Sequence, residues 1–139
     1  MSLIHGSRGI VYFVHQFKPT FDEHALLDDP EMLAAVTKIN QQIRELAPVL
    51  NSDPMYEGAR VRPLSMRPPI DCATRKYEGA TYVFAVGMRN VPGKGSFLVP
   101  RIAPHAVAEV IGENRTIPIE NGKFEDKFEP HDVHLYRIR

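Results

Sequence analysis

From residue 58 onward the sequence is cut into short apolar–polar alternations by turn residues, and no helical period survives there. The alternating stretches are Arg60–Leu64, Ile70–Tyr77, Ala80–Met88, Ser96–Arg101, Val107–Ile111, Arg115–Glu120, Lys123–Phe128 and Asp132–Ile138. Between them stand Pro68-Pro69, Glu78-Gly79, Pro92-Gly93, Pro104, Gly112-Glu113-Asn114, Asn121-Gly122 and Pro130. Asn121-Gly122 is the sharpest of these signals, because a two-residue type I′ hairpin needs positive φ at both central positions. So many short strands in so little chain share one buried face best as two stacked sheets. An antiparallel β-sandwich over residues 58–139 is therefore predicted, rather than an open sheet.

Residues 1–57 follow a different pattern. Gly9–Val14 is apolar at every position after the glycine, as in a strand buried on both faces of a parallel sheet, and polar His15-Gln16 ends it. Asp29-Pro30-Glu31 supplies a capping side chain, a proline suited to the first helical turn and an acid at the positive end of the helix dipole. Leu33, Val36, Ile39, Ile43, Leu46 and Leu50 then recur at spacings of three and four, one stripe of a helix. Pro48 predicts an end or kink near Leu46, and Asn51-Ser52-Asp53-Pro54 a break. The whole chain reads as mainly β: an antiparallel β-sandwich preceded by one strand and one long α-helix.

Composition narrows the function classes. The 17 basic and 17 acidic side chains balance, so no net field favours nucleic acid or an anionic membrane. The longest apolar run, residues 9–14, is too short to span a bilayer, and the first residues lack the basic-then-apolar order of a signal peptide. The single cysteine, Cys72, excludes an intrachain disulfide and a multi-cysteine zinc site. At 139 residues the chain cannot hold a complete (β/α)8 barrel, which takes about 250.

Three stretches carry a family resemblance. Lys76-Tyr77-Glu78-Gly79-Ala80-Thr81-Tyr82-Val83-Phe84-Ala85-Val86 followed by Ser96-Phe97-Leu98-Val99-Pro100 resembles the hairpin of C-terminal sandwich domains in many glycoside hydrolases. The order Val110-Ile111-Gly112-Glu113-Asn114-Arg115, Asn121-Gly122-Lys123-Phe124-Glu125-Asp126-Lys127-Phe128-Glu129-Pro130 and Val133-His134-Leu135-Tyr136-Arg137-Ile138 is similar to the ending of those domains. His5-Gly6-Ser7-Arg8-Gly9-Ile10-Val11-Tyr12-Phe13 resembles a late strand of a glycosidase barrel. The resemblance implies a C-terminal fragment of a longer enzyme: the last β-α unit of a barrel in residues 1–57, then an accessory sandwich. It also implies that the missing barrel portion is this chain's partner.

A lone barrel strand has two unpaired edges, so residues 9–14 are expected to find a partner in the sandwich, the helix or a second copy of the chain. His15 and Gln16 lie at the carboxyl end of that strand, where barrel enzymes place substrate-binding groups, and would line a sugar site in an intact parent. Glycoside hydrolysis takes two flanking carboxyl groups, and by the resemblance the usual pair lies on earlier strands, so no catalytic residue is expected here. Asp22 and Glu23 read as a solvated loop. Asp132 and His134 share one side of a strand, yet a hydrogen-bonded His134 beside Tyr136 is a more economical account than a metal site. Gly93-Lys94-Gly95-Ser96 lacks the order of a phosphate loop and is expected to be a hairpin turn. Cys72 reads as an inert, buried thiol. Phe84, Phe97 and Phe128 are expected in the core, with Tyr77 and Tyr82 open between core and sugar-stacking roles. No metal or cofactor is expected. Three roles stand against one another: a stabilising accessory domain, a carbohydrate-binding sandwich and a small free-standing enzyme.

Overall fold

The computed structural model describes residues 1–64 and 69–139. The chain divides into two compact units, one of Arg8–Pro48 and one of Met1–Ser7 with Val49–Arg139.

The first unit holds a single helical turn, α1 (Ala25–Asp28), and most of a long helix, α2 (Pro30–Leu50). Asp29 starts α2 as its side chain suggests: Oδ1 accepts the Met32 N–H at 2.9 Å, while its carbonyl accepts the first helical bond, from Leu33 N–H, at 2.9 Å. The helix does not end near Leu46. It continues through Pro48 to Leu50, because a proline in the last turn removes only one N–H donor. The end is instead set by Ser52, whose N–H and hydroxyl both donate to the Val49 carbonyl, at 3.1 and 2.7 Å. Leu33, Val36, Ile43 and Leu46 do lie on one stripe, but they are only half-buried, and Ile39 is exposed.

The strand expected at residues 9–14 is not formed. The segment is irregular, Val11 is 97% exposed and Phe13 74% exposed. The physical reason is the absence of a neighbour among the described residues: a strand becomes a strand by pairing, and the backbone pair found nearby joins Gln16 to Asp22, beyond the apolar run.

The second unit is the sandwich. Its strands are β1 (Arg60–Pro63), β2 (Ile70–Tyr77), β3 (Ala80–Gly87), β4 (Gly93–Leu98), β5 (Val107–Val110), β6 (Arg115–Pro118), β7 (Lys123–Phe128) and β8 (Val133–Ile138). They form a three-stranded sheet, β1-β4-β7, and a five-stranded sheet, β2-β3-β8-β5-β6, with every pairing antiparallel. Inward side chains of both sheets make one core that includes Val83, Ala85, Phe97, Phe124, Phe128 and Tyr136. Phe97 stacks on Phe124 at 4.7 Å within one sheet, and Tyr136 of the other sheet meets them at 5.5 and 4.9 Å. Strand β3 is buried along its whole length, on both faces.

The Asn121-Gly122 turn has φ of 50° and 77°, as a type I′ loop requires, and Glu120 and Lys123 exchange hydrogen bonds of 3.0 and 2.9 Å across it. That pairing does not propagate into a ladder. Strand β6 stays with β5 and β7 with β4, so the turn carries the chain from one sheet to the other. The Gly93-Lys94-Gly95-Ser96 turn expected from the sequence is also not observed, because these residues open β4, the central strand of the smaller sheet. A Cβ at Gly95 would come within 2.9 Å of Ile70 and 3.1 Å of Val61, so glycine here permits close approach rather than chain reversal. Pro68 of the expected Pro68-Pro69 break lies outside the described residues. Residues 49–57 go with the sandwich: the Met55 N–H donates to the Thr74 carbonyl at 3.2 Å, and Pro54 bridges to Arg75.

Candidate functional site

His15 and Gln16 lie in the Arg8–Pro48 unit, and both are exposed. They line a cavity of about 420 Å³ with Tyr12, Phe13, Asp29 and Met32, so the structure brings the two residues together. Gln16 is held by its backbone, which exchanges two 2.9 Å hydrogen bonds with Asp22. His15 stands between aromatic rings, 5.4 Å from Phe13 and 6.1 Å from Phe21, each edge to face. Phe17 stacks on Phe13 at 5.9 Å and tilts against Phe21 at 5.7 Å, which completes an exposed aromatic group.

Two acids near this cavity, Asp22 and Asp29, are committed to backbone. Asp22 Oδ1 accepts the His24 N–H at 2.7 Å, a local turn contact, and Glu23 points to solvent. Asp29 is the carboxylate in the lining, and its Oδ1 caps α2. Among the described residues the cavity therefore presents no second carboxylate opposite a first, the arrangement that glycoside hydrolysis uses.

The densest cluster of ionisable groups lies between the sheets of the other unit. Arg115 of β6 donates two parallel bonds to Asp126 of β7, Nη1 to Oδ1 at 3.0 Å and Nη2 to Oδ2 at 2.8 Å. The Tyr136 hydroxyl donates to Asp126 Oδ2 at 2.8 Å, and Arg115 Nε donates to Glu113 at 2.7 Å. His134 joins them with Nδ1 2.5 Å from Glu113 Oε1 and Nε2 3.0 Å from the Lys127 carbonyl. Burial by itself would raise the Asp126 carboxyl. The Arg115 guanidinium, the Tyr136 hydroxyl and the Lys127 N–H outweigh it and hold the group below the usual carboxylate range. The Tyr136 phenol is pushed well up, first by burial and then by the Asp126 charge. The network ties the two sheets together, with Asp126 and Tyr136 buried in it and Arg115 and Glu113 partly open to solvent.

His134 thus sits beside Tyr136 in a hydrogen-bonded setting, while Asp132 is 3.8 Å from its Nε2 and accepts the Glu129 N–H. Sequence reasoning missed Glu113, Arg115 and Asp126 as members of this cluster. The available signal was Asp126 at an inward position between Phe124 and Phe128, a charge where the alternation calls for an apolar residue. Cys72 is half-buried, and burial followed by the Asp71 charge pushes its thiol up to about 11, so it stays protonated near neutral pH. Phe84, Phe97 and Phe128 are in the core, Tyr82 is buried and Tyr77 half-buried.

No family model and no curated protein matches the sequence. Solved structures resemble its fold. An α-amylase of Geobacillus thermoleovorans, crystallised with acarbose, matches 80% of this chain with 23% of its own, at a TM-score of 0.59 and 14% identity. An Anoxybacillus α-amylase matches 79% of this chain with 23% of its own, at a TM-score of 0.56 and 17% identity. The fold is shared with a portion of α-amylases. The chain spans under a quarter of the length of these enzymes, so the glycoside hydrolase resemblance read from the sequence returns, independently, as a likeness of fold to part of such an enzyme.

Proposed function

We propose that this chain is the C-terminal part of a glycoside hydrolase: the last β-α unit of its barrel, followed by a β-sandwich that stabilises the enzyme without catalysing. The observation that carries this reading is the partial match. Four-fifths of this chain is more than residues 58–139 hold, so the likeness to α-amylases reaches beyond the sandwich. Two further features support it. The His15–Gln16 cavity has one carboxylate, already used as a helix cap, and Asp126 in the ionisable cluster of the sandwich is taken up by Arg115 and Tyr136. Residues 9–14 have the pattern of a doubly buried strand yet stand exposed, as a barrel strand without its neighbours would. The partner of this segment is the rest of the barrel. In its absence a second copy of the chain takes that place, edge to edge.

Reading the gene upstream of codon 1 tests the proposal. A continuous frame encoding further β-α units is expected, and a stop codon immediately upstream overturns it. A carbohydrate-binding role is the second reading, favoured by the exposed rings of Phe13, Phe17 and Phe21 around His15. Affinity electrophoresis through polysaccharide gels separates the two, because retention of the chain would replace a stabilising role with a binding one.

A further inference from the structure

We propose that the cleft between residues 55–60 and strand β2 binds a small ligand through an anionic oxygen group, a carboxylate or a phosphate. The inference is independent of the enzyme reading above. The cleft holds about 280 Å³, and its lining includes Tyr56, Arg60, Cys72, Thr74 and Arg75. Its charged side chains are the two arginines, and among the described residues neither forms an ion pair. Residues 65–68, Ser-Met-Arg-Pro, contain no carboxylate that could pair with them. Arg75 Nη1 donates to the Thr74 carbonyl at 3.1 Å, but its Nε is buried without any partner. A buried guanidinium N–H left without an acceptor is costly, and the planar fork of that group matches two oxygens of a carboxylate or phosphate.

The surroundings add to this. The Thr74 hydroxyl oxygen accepts the Ala59 N–H at 2.8 Å, which fixes residues 58–60 beside β2 as one wall of the cleft. Neighbouring acids are engaged elsewhere: Glu57 pairs with Arg101, and Asp71 is 3.4 Å from His5. The protonated Cys72 thiol brings no negative charge into the cleft. Tyr56, 98% exposed at the mouth, offers a ring face to the apolar side of whatever bears the anion, such as a sugar ring.

Titrating the full chain with inorganic phosphate, glucuronate, glucose 6-phosphate and glucose, followed by NMR shifts of β2 amides, tests the site. Binding of the anions that weakens with salt, with glucose not bound, is expected. Tighter binding of glucuronate than of glucose 6-phosphate identifies a carboxylate site, and the reverse order a phosphate site. Arg75→Gln and Arg60→Gln should each weaken binding about tenfold, with Arg75→Lys restoring part of it and Arg101→Gln leaving it unchanged. If Arg75→Gln fails to fold, Arg60→Gln decides, since Arg60 is exposed. The proposal falls if no anion binds at about 50 mM, if glucose binds equally well, or if Arg60→Gln binds like the parent chain.

Discussion

Residues 49–139 and residues 8–48 differ in what becomes of their aromatic side chains. Phe97 is 0% exposed, packed between two sheets against Phe124, Phe128 and Tyr136, whereas Phe13 stacks on Phe17 in the open. The same chemistry of side chain thus serves two ends. In the sandwich the inward side chains of both sheets find counterparts within the chain and form one buried core. In the other unit Val11, Phe13, Phe17 and Phe21 stand exposed, and the apolar stripe of α2 is only half-buried.

The comparison breaks most visibly at Phe97. Phe97→Ala should destabilise the sandwich by about 3–5 kcal/mol, a large fraction of the roughly 5–15 kcal/mol typical of a domain. Urea unfolding followed by Tyr fluorescence measures it, and a loss below about 1 kcal/mol would mean that the core is not packed as described.

Asp126 comes next. Asp126→Asn keeps the shape but removes the charge that Arg115 and Tyr136 address, and should cost about 2–4 kcal/mol. Because the folded-state pKa of Asp126 lies below its unfolded value, its stabilisation is fully present above the unfolded pKa of about 3.9 and is lost as pH falls through the folded one. Thermal midpoints should therefore fall less steeply below about pH 4 in Asp126→Asn than in the parent chain. Parallel curves for the two proteins would assign the acid sensitivity to other carboxylates.

Much of the sandwich was legible because its signals are local. β2 and β7 have the bounds that alternation gave, and Asn121-Gly122 turns as its residue types demand. Gly93–Ser96 was misread for a physical reason: glycine marks a turn and a tight contact in the same way, and only Ile70, distant in sequence, distinguishes them. The network between the sheets was half legible. His134 and Tyr136 share a face by alternation, but their meeting with Arg115 and Asp126 depends on which strands become neighbours, and sheet order leaves no mark in a single strand. Residues 9–14 were legible as a pattern and not as a structure, since pairing needs a second strand. Gly95→Ala sharpens this point: a Cβ 2.9 Å from Ile70 should cost about 1–3 kcal/mol, while a turn glycine of ordinary φ in open space would cost almost nothing.

The smallest effect on stability, and the most direct probe of the exposed unit, comes from Val11→Lys combined with Phe13→Lys. Both side chains are exposed, so the unfolding free energy should move by no more than about 0.5 kcal/mol. Association should respond instead. An apolar segment with free backbone edges is a template for pairing, and the partner proposed above for a pure solution of this chain is another copy of residues 9–14. Sedimentation velocity should show concentration-dependent dimers for the parent chain and monomers for the double variant, because lysines directly opposite one another across an antiparallel pair repel. A parent chain that stays monomeric at high concentration, with amides 9–14 protected from hydrogen exchange, would mean that these residues are covered within their own chain and that the contrast between the two units is smaller than the exposed rings indicate.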